Sequence, residues 1–202
     1  WWEFRYPDLG VVTANELHIP VGQQIDIRLT SADVIHSFWF PRLGGKRDVL
    51  PGHENQLWFT ADSAGLYLGQ CAEFCGLSHA LMKMELVAES PEEFEAWVEH
   101  QRSDAVVADS AAFAEGSQAF LQGGCIACHA VRGTIAQGVI GPDLTHIGSR
   151  RRIAAGILDN TPENMRHWIA NSQAVKPGSL MVVPELDDET LDRIVTYLQG
   201  LK

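Results

Sequence analysis

Residues 71–86 read CAEFCGLSHALMKMEL. Met82, Met84 and Leu86 alternate with Lys83 and Glu85, the period-two pattern of a half-buried strand. Ahead of them, Cys71, Cys75, His79 and Met82 put two thiols, an imidazole and a thioether within twelve residues. A loop rich in ligands therefore runs into a strand. Working outward, Ile25, Ile27 and Leu29 alternate with Asp26, Arg28 and Thr30, and Pro20, Gly22, Pro41, Gly44, Gly45, Pro51, Gly52 and Gly65 punctuate the first ninety residues. Short strands at that spacing predict an all-β sandwich or barrel. A second imidazole, His36, lies between strand-like segments.

Thiolate and thioether favour Cu(I), imidazole tolerates both copper oxidation states, and a weak axial methionine tunes a copper potential. Two thiolates four residues apart on a loop joining strands can bridge two copper ions, one imidazole completing each. A shared pair spreads the added charge, so bond lengths change little on reduction. Three plainer readings stand beside this one. A Cys71–Cys75 disulfide needs no neighbouring His or Met. A single blue-copper site from His36, one cysteine, His79 and Met82 leaves Cys71 unexplained. A thiol-redox or copper-delivery protein usually has proline after the second cysteine and a thioredoxin-like α/β context, whereas Gly76 follows here. Met84 has the pattern of a core residue.

The pattern changes at Ser90. Ser90, Pro91 and Glu93 form a capping box with proline at the first helical position, and Phe94, Trp97, Val98 and Gln101 follow at helical spacing. Small, polar and acidic residues over 103–110 predict a linker between a first domain, 1–102, and a second, 111–202. The second half reads helical: Phe113, Phe120 and Leu121 share one helix, Thr161 and Pro162 start another carrying Met165, Trp168 and Ile169, and Asp187 starts a last one. Residues 125–129 read CIACH, in which Cys125 and Cys128 can add to haem vinyl groups while His129 ligates iron from the same turn. A zinc site would need a second CxxC, and none exists. For the sixth position, Met165 lies on an apolar helical stripe, but Met181 lies in a loop between Pro177-Gly178 and Pro184 and is the better axial ligand; a His/Met pair raises the haem potential.

Composition is that of an ordinary globular chain: 202 residues, 46% hydrophobic and 20% charged. The net charge of −11 disfavours nucleic acid, which needs clustered Lys and Arg. Most of that charge, −8, falls in residues 1–102, with −3 in the remainder. No stretch approaches the roughly 20 apolar residues needed to cross a bilayer. The chain begins at Trp1 without an initiator Met, so a membrane anchor is expected upstream.

Residues 33–87, from Asp33-Val-Ile-His36 through Pro51-Gly52 and Gly65–Cys71 to the CAEFCGLSHALM run, resemble the CuA domain of cytochrome c oxidase subunit II, a cupredoxin fold with a Greek-key barrel. The resemblance implies that Cys71 and Cys75 bridge two coppers, that His36 and His79 each bind one, that Met82 is a weak ligand and that Glu73 contributes its backbone carbonyl. In that family the carboxylate at Glu73 also reaches a magnesium at the contact with the catalytic subunit. The opening Trp1-Trp2-Glu3-Phe4-Arg5-Tyr6 resembles the family's aromatic strand, which includes the tryptophan where electrons enter; packing of the barrel edge explains Trp2, Phe4 and Tyr6 equally well. Residues 111–202 resemble a class I cytochrome c: a helix into CIACH, the Gly141-Pro142-Asp143-Leu144 loop, then Met181, with Met-Val-Val-Pro in place of the usual Met-Pro. The resemblance implies that the Pro142 carbonyl backs the His129 ring. Arg150, Arg151 and Arg152 can pair with haem propionates, or simply begin a solvated helix.

A CuA domain, a short linker and a cytochrome c in that order resemble subunit II of caa-type haem-copper oxidases. The resemblance implies an enzyme subunit on the periplasmic face of a prokaryotic membrane. Its partners would be the catalytic subunit I and a soluble donor such as a cytochrome c, with no oxygen-reducing site in this chain. Two other classes remain: the CuA module of a different reductase, such as nitrous oxide reductase, and a copper carrier.

Overall fold

The computed structural model describes residues 1–106 and 110–202. Of the expected linker 103–110, residues 107–109 lie outside the described residues.

Nine strands make up the first half: β1 (Glu3–Tyr6), β2 (Val11–Ala14), β3 (Glu16–Pro20), β4 (Gln24–Leu29), β5 (His36–Trp39), β6 (Arg47–Val49), β7 (Asn55–Thr60), β8 (Gly65–Cys71) and β9 (Lys83–Glu89). A five-stranded sheet runs in the order β3-β9-β8-β5-β6, while β4 pairs with β7 and β1 with β2. The β3–β9 pair is parallel and the other pairs are antiparallel. Alternation decides which side chains go inward. Ile25, Ile27 and Leu29 on β4 turn toward the core, as do Met84 and Leu86 on β9, both fully buried. Phe38 at the centre of β5 is 1% exposed and meets Trp2 and Phe40 edge-on. Burying one such ring contributes roughly 1.5–3 kcal/mol. This is the all-β barrel anticipated from the turn spacing, in the cupredoxin-like form that the resemblance implied.

Helix α1 (Pro91–Arg102) closes that barrel. Its capping box is complete: the Glu93 amide donates to Ser90 Oγ, and the Ser90 amide to Glu93 Oε2 at 2.9 Å. Trp97 stacks on His18 at 4.3 Å and tilts against Tyr6, so the helix lies across β1 and β3. Arg102 at its end donates to the Leu9 carbonyl.

The second half is helical, as expected for a cytochrome c domain. It comprises α2 (Ala111–Gln122), a two-stranded hairpin β10 (Arg152–Ile153) and β11 (Leu158–Asp159), α3 (Pro162–Ala170), α4 (Ser172–Val175) and α5 (Asp188–Gly200). Ser110, Thr161 and Asp187 cap α2, α3 and α5 through their side-chain oxygens. Helices α2 and α5 cross at Gly116, where a Cβ would fall 2.4 Å from the Arg193 carbonyl oxygen. Only glycine lets the two backbones come that close. Met165 is 2% exposed in the helical core, in keeping with its place on an apolar stripe. Ala105, within the expected linker, is buried in this second core.

Candidate functional site

Strand pairing brings the copper-type donors together. β5 runs antiparallel to β8 with Phe38 opposite Cys71, so His36, two residues earlier, comes to the cysteine across 35 positions of sequence. The Ala72 amide donates to the Ser37 carbonyl, and the Cys71 amide to the Met82 carbonyl, tying the two ends of the ligand loop to each other and to β5. Between them the chain turns at Gly76, whose φ of 113° suits glycine, and makes a single 3-10 turn over His79–Leu81.

Within this frame the sulfurs converge. Cys71 Sγ and Cys75 Sγ lie 3.7 Å apart, and both thiols are free. A disulfide needs about 2.05 Å. His36 Nδ1 approaches Cys71 Sγ at 3.8 Å and His79 Nδ1 approaches Cys75 Sγ at 3.6 Å, one imidazole for each thiol. Met82 Sδ lies 3.9 Å from Cys75 Sγ, and the Glu73 carbonyl accepts from Cys71 Sγ at 3.1 Å, while the rest of Glu73 is exposed. Among the described residues, His36, Cys71 and Cys75 are the group whose donor atoms all lie within 4.8 Å of one another.

Electrostatics at the pair favour added positive charge. Burial would raise the Cys71 thiol, but hydrogen bonds with His36 and with the Glu73 and Ser37 backbone outweigh it and bring it down to about 6. Burial and the neighbouring Cys71 charge push Cys75 up to about 11. The dithiol thus gives up one proton readily and holds the second, which a metal cation would release. Asp33, singled out in the sequence only as part of a run, orients His36: its carboxylate lies 2.7 Å from Nε2. A carboxylate only accepts, so Nε2 carries a hydrogen, and Nδ1 is the ring nitrogen turned toward the sulfur. Hydrogen bonds to Cys71 and Asp33 outweigh burial and raise the His36 pKa. Trp2, 7% exposed, sets its ring edge against His36 at 6.0 Å, with Trp1 exposed beside it.

The second constellation sits in one short turn. Cys125–Ala127 is a 3-10 turn, and the Cys128 and His129 amides both donate to the Cys125 carbonyl. His129 Nδ1 lies 2.8 Å from the Pro142 carbonyl oxygen. That oxygen fixes the hydrogen on Nδ1 and leaves Nε2 as the free lone pair. Burial lowers the His129 pKa, which favours the neutral ring. Two glycines permit the fit: a Cβ at Gly141 would fall 2.6 Å from His129 Cε1, and one at Gly138 2.5 Å from the His129 amide nitrogen. Met181 is half-buried against the helical core, its carbonyl accepting from Ser172 Oγ at 2.8 Å and from Gln173. Large apolar side chains near these residues in the chain, Val139 and Ile140 before Gly141 and Leu180 and Val182 around Met181, are exposed.

Two arginines depart from expectation. Arg150 stays with the haem-type loop, donating to the Asp143 carbonyl, but Arg151 and Arg152 turn away to Glu85 of β9. A carboxylate that is 3% exposed needs positive partners more than the solvent-facing start of a segment does.

Residues 3–90 match the family model of cytochrome c oxidase subunit II, periplasmic domain, and residues 113–202 match that of cytochrome c. The chain belongs to the cytochrome c oxidase subunit II family. It is 40% identical over 203 residues to cytochrome c oxidase subunit 2 of Alkalihalophilus pseudofirmus, covering 100% of this chain and 58% of the relative. To the subunit 2 of Bacillus subtilis it is 37% identical over 215 residues, covering 100% of this chain and 60% of the relative. The chain thus spans 58–60% of the length of these two relatives. A solved periplasmic domain of cytochrome oxidase subunit II from Bradyrhizobium japonicum is 36% identical, with 50% of this chain and 86% of that one covered and a TM-score of 0.48. Both relatives match across both halves, so copper and haem are the groups this subunit II chain is built to hold. No helix among the described residues is long and apolar enough to cross a membrane.

Proposed function

We propose that this chain is the part of a respiratory terminal oxidase through which electrons enter. They would arrive from a soluble donor at a haem c, pass to a binuclear copper centre and leave for the catalytic subunit. Cys71 and Cys75 would bridge the two coppers, His36 and His79 would each take one, and Met82 and the Glu73 carbonyl would serve as weak ligands. Cys125 and Cys128 would hold the haem covalently, with His129 and Met181 on its iron and Pro142 orienting the His129 ring. Both groups supply one-electron relays. With each copper-type donor atom already 3.6–3.8 Å from the next, little would need to move when charge arrives. Trp2, in edge contact with His36, and the exposed Trp1 fit the place where electrons enter, and the exposed Glu73 carboxylate fits a magnesium shared with subunit I. The chain would work at the outer face of the membrane, beside the catalytic subunit.

One observation carries this reading: two unbonded thiols 3.7 Å apart, each met by its own imidazole, in the same chain as a CxxCH turn. A blue-copper site leaves one of those thiols idle, and a disulfide leaves both imidazoles idle. Metal and haem analysis of the pure chain, with electron paramagnetic resonance, tests it. Two coppers per haem and a spectrum of one electron shared between equivalent coppers are expected. One copper per haem, or an oxidised Cys71–Cys75 pair without metal, overturns the assignment. The chain alone should consume no oxygen with a reduced donor.

A further inference from the structure

Glu85 is a carboxylate buried on a barrel strand, and its ion-pair partners among the described residues both come from the other domain. Arg152 Nε donates to Oε1 at 2.8 Å, and Arg151 Nε lies 3.4 Å from Oε2, close enough to neutralise that oxygen although not aligned to hydrogen-bond it. The Arg151 amide also donates to Glu16 on the neighbouring strand β3, at 3.1 Å. A buried carboxylate without partners is unfavourable, so this patch of the barrel is built to be covered.

The covering element is the β10–β11 hairpin. At its tip Ala154, Ala155 and Gly156 have φ of 53°, 59° and 79°, three left-handed residues in succession, of which two are not glycine. Such conformations persist where surrounding contacts hold them. Here the contact is with the copper-type domain: the Lys83 amide donates to the Ala155 carbonyl at 3.0 Å, and a Cβ on Gly156 would sit 3.1 Å from Lys83 Cβ. Lys83 directly follows Met82. On the other side of the ligand loop, Ser78 Oγ donates to the Pro177 carbonyl, and Leu77 lies against Gly178. Ser78 directly precedes His79, and Pro177 lies four residues before Met181.

We propose that the β10–β11 hairpin is a docking key that seats the haem domain on the copper domain, and that docking braces the segment His79–Met82 from both ends. The key locks through Arg151 and Arg152 on Glu85 and through Ala155 on Lys83; the second brace is Ser78 on Pro177. The ligand role of His79 and Met82 rests on the function proposed above, but the key itself does not. Docking also lays the loop that leads to Met181 directly on the copper loop, through Ser78 on Pro177 and Leu77 on Gly178.

The test uses the full chain with its haem attached, first without copper. In the Arg151→Gln, Arg152→Gln double variant, amide exchange at Lys83 is expected to quicken at least tenfold while the Cys71 amide, inside the sheet frame, keeps its protection. The radius of gyration from X-ray scattering is expected to rise. Gly156→Val, which crowds Lys83 without changing charge, should do the same. The Glu85→Arg, Arg152→Glu exchange should restore part of the protection, which a variant that merely misfolds would not. Unchanged Lys83 exchange and unchanged radius in the first two variants overturn the key. With copper loaded, chelator extraction is expected to be several-fold faster in the double variant and in Ser78→Ala; separated domains with unchanged extraction overturn the brace. A chain that docks as described but binds no copper pair refutes the proposed function and leaves the key standing.

Discussion

The two proposed ligand sets of this chain are organised in opposite ways. The copper-type set is gathered from distant segments, His36 on β5 and the rest on the β8–β9 loop, yet its donor atoms already converge at 3.6–3.9 Å within a hydrogen-bonded frame. The haem-type set begins with a contiguous turn, 125–129, and ends in a loop around Met181 without regular structure, flanked by exposed apolar side chains. The contrast follows from size. One or two ions would fit between side chains that a barrel can position unaided, whereas a macrocycle would supply apolar surface for its domain to bury, so that domain would be completed by its cofactor.

That contrast can be broken most decisively by removing each group in turn. With Cys125→Ala and Cys128→Ala, the helical domain is expected to lose its cooperative melt, with most of the α2, α3 and α5 circular dichroism gone at temperatures where the barrel signal persists. With Cys71→Ser and Cys75→Ser, the barrel should keep its melt within a few degrees, about 1 kcal/mol or less of change for so nearly isosteric a swap. Equal damage in both cases would abolish the distinction.

A smaller effect sharpens the claim that the copper-type donors are held in advance. Asp33 fixes the His36 ring from outside the donor set, so Asp33→Asn should leave the fold intact and weaken copper binding by about 10–100-fold in chelator competition. No change in affinity would mean that the strand frame alone positions the ring.

The smallest expected effect concerns the polar joint beneath α1. Burial disfavours the charged form of His18, but hydrogen bonds to Glu16 and Glu89 outweigh it and raise its pKa above 6.5. A raised histidine contributes stability that is whole below 6.5 and is lost as pH rises through the folded-state value. Glu16 moves the other way: burial raises it, His18 more than compensates, and its folded-state value falls below 4.5. Its contribution is present above 4.5 and lost as pH falls through the lowered value. The joint is therefore strongest at about pH 4.5–6.5. Denaturant midpoints against pH should decline on the alkaline side, and His18→Gln should flatten that limb; an unchanged limb would assign the decline to other groups.

Much of this was legible before any coordinates. The caps at Ser90, Thr161 and Asp187 each accept the expected backbone hydrogen bond, and Met84 and Met165 are core residues, because capping and periodicity act over three or four neighbours. Asp33 was not legible as an orienting group, since an acid three residues before a histidine is ordinarily just exposed. Arg151 and Arg152 read either as partners for haem propionates or as the start of a solvated helix, but the carboxylate they meet lies 66 and 67 positions away on a strand whose alternation gives no hint of an inward Glu85.

The sequence by itself determined the chemistry, because ligand type and spacing along 71–82 and 125–129 follow from covalent order, and it determined fold class in each half, because the side-chain period changes from two to 3.6 near Ser90. The tertiary structure alone decided which imidazole meets which sulfur, what turns each ring, and how one half rests on the other. Those are questions of strand register and of where a buried charge finds its opposite, and both depend on contacts between residues that the chain keeps far apart.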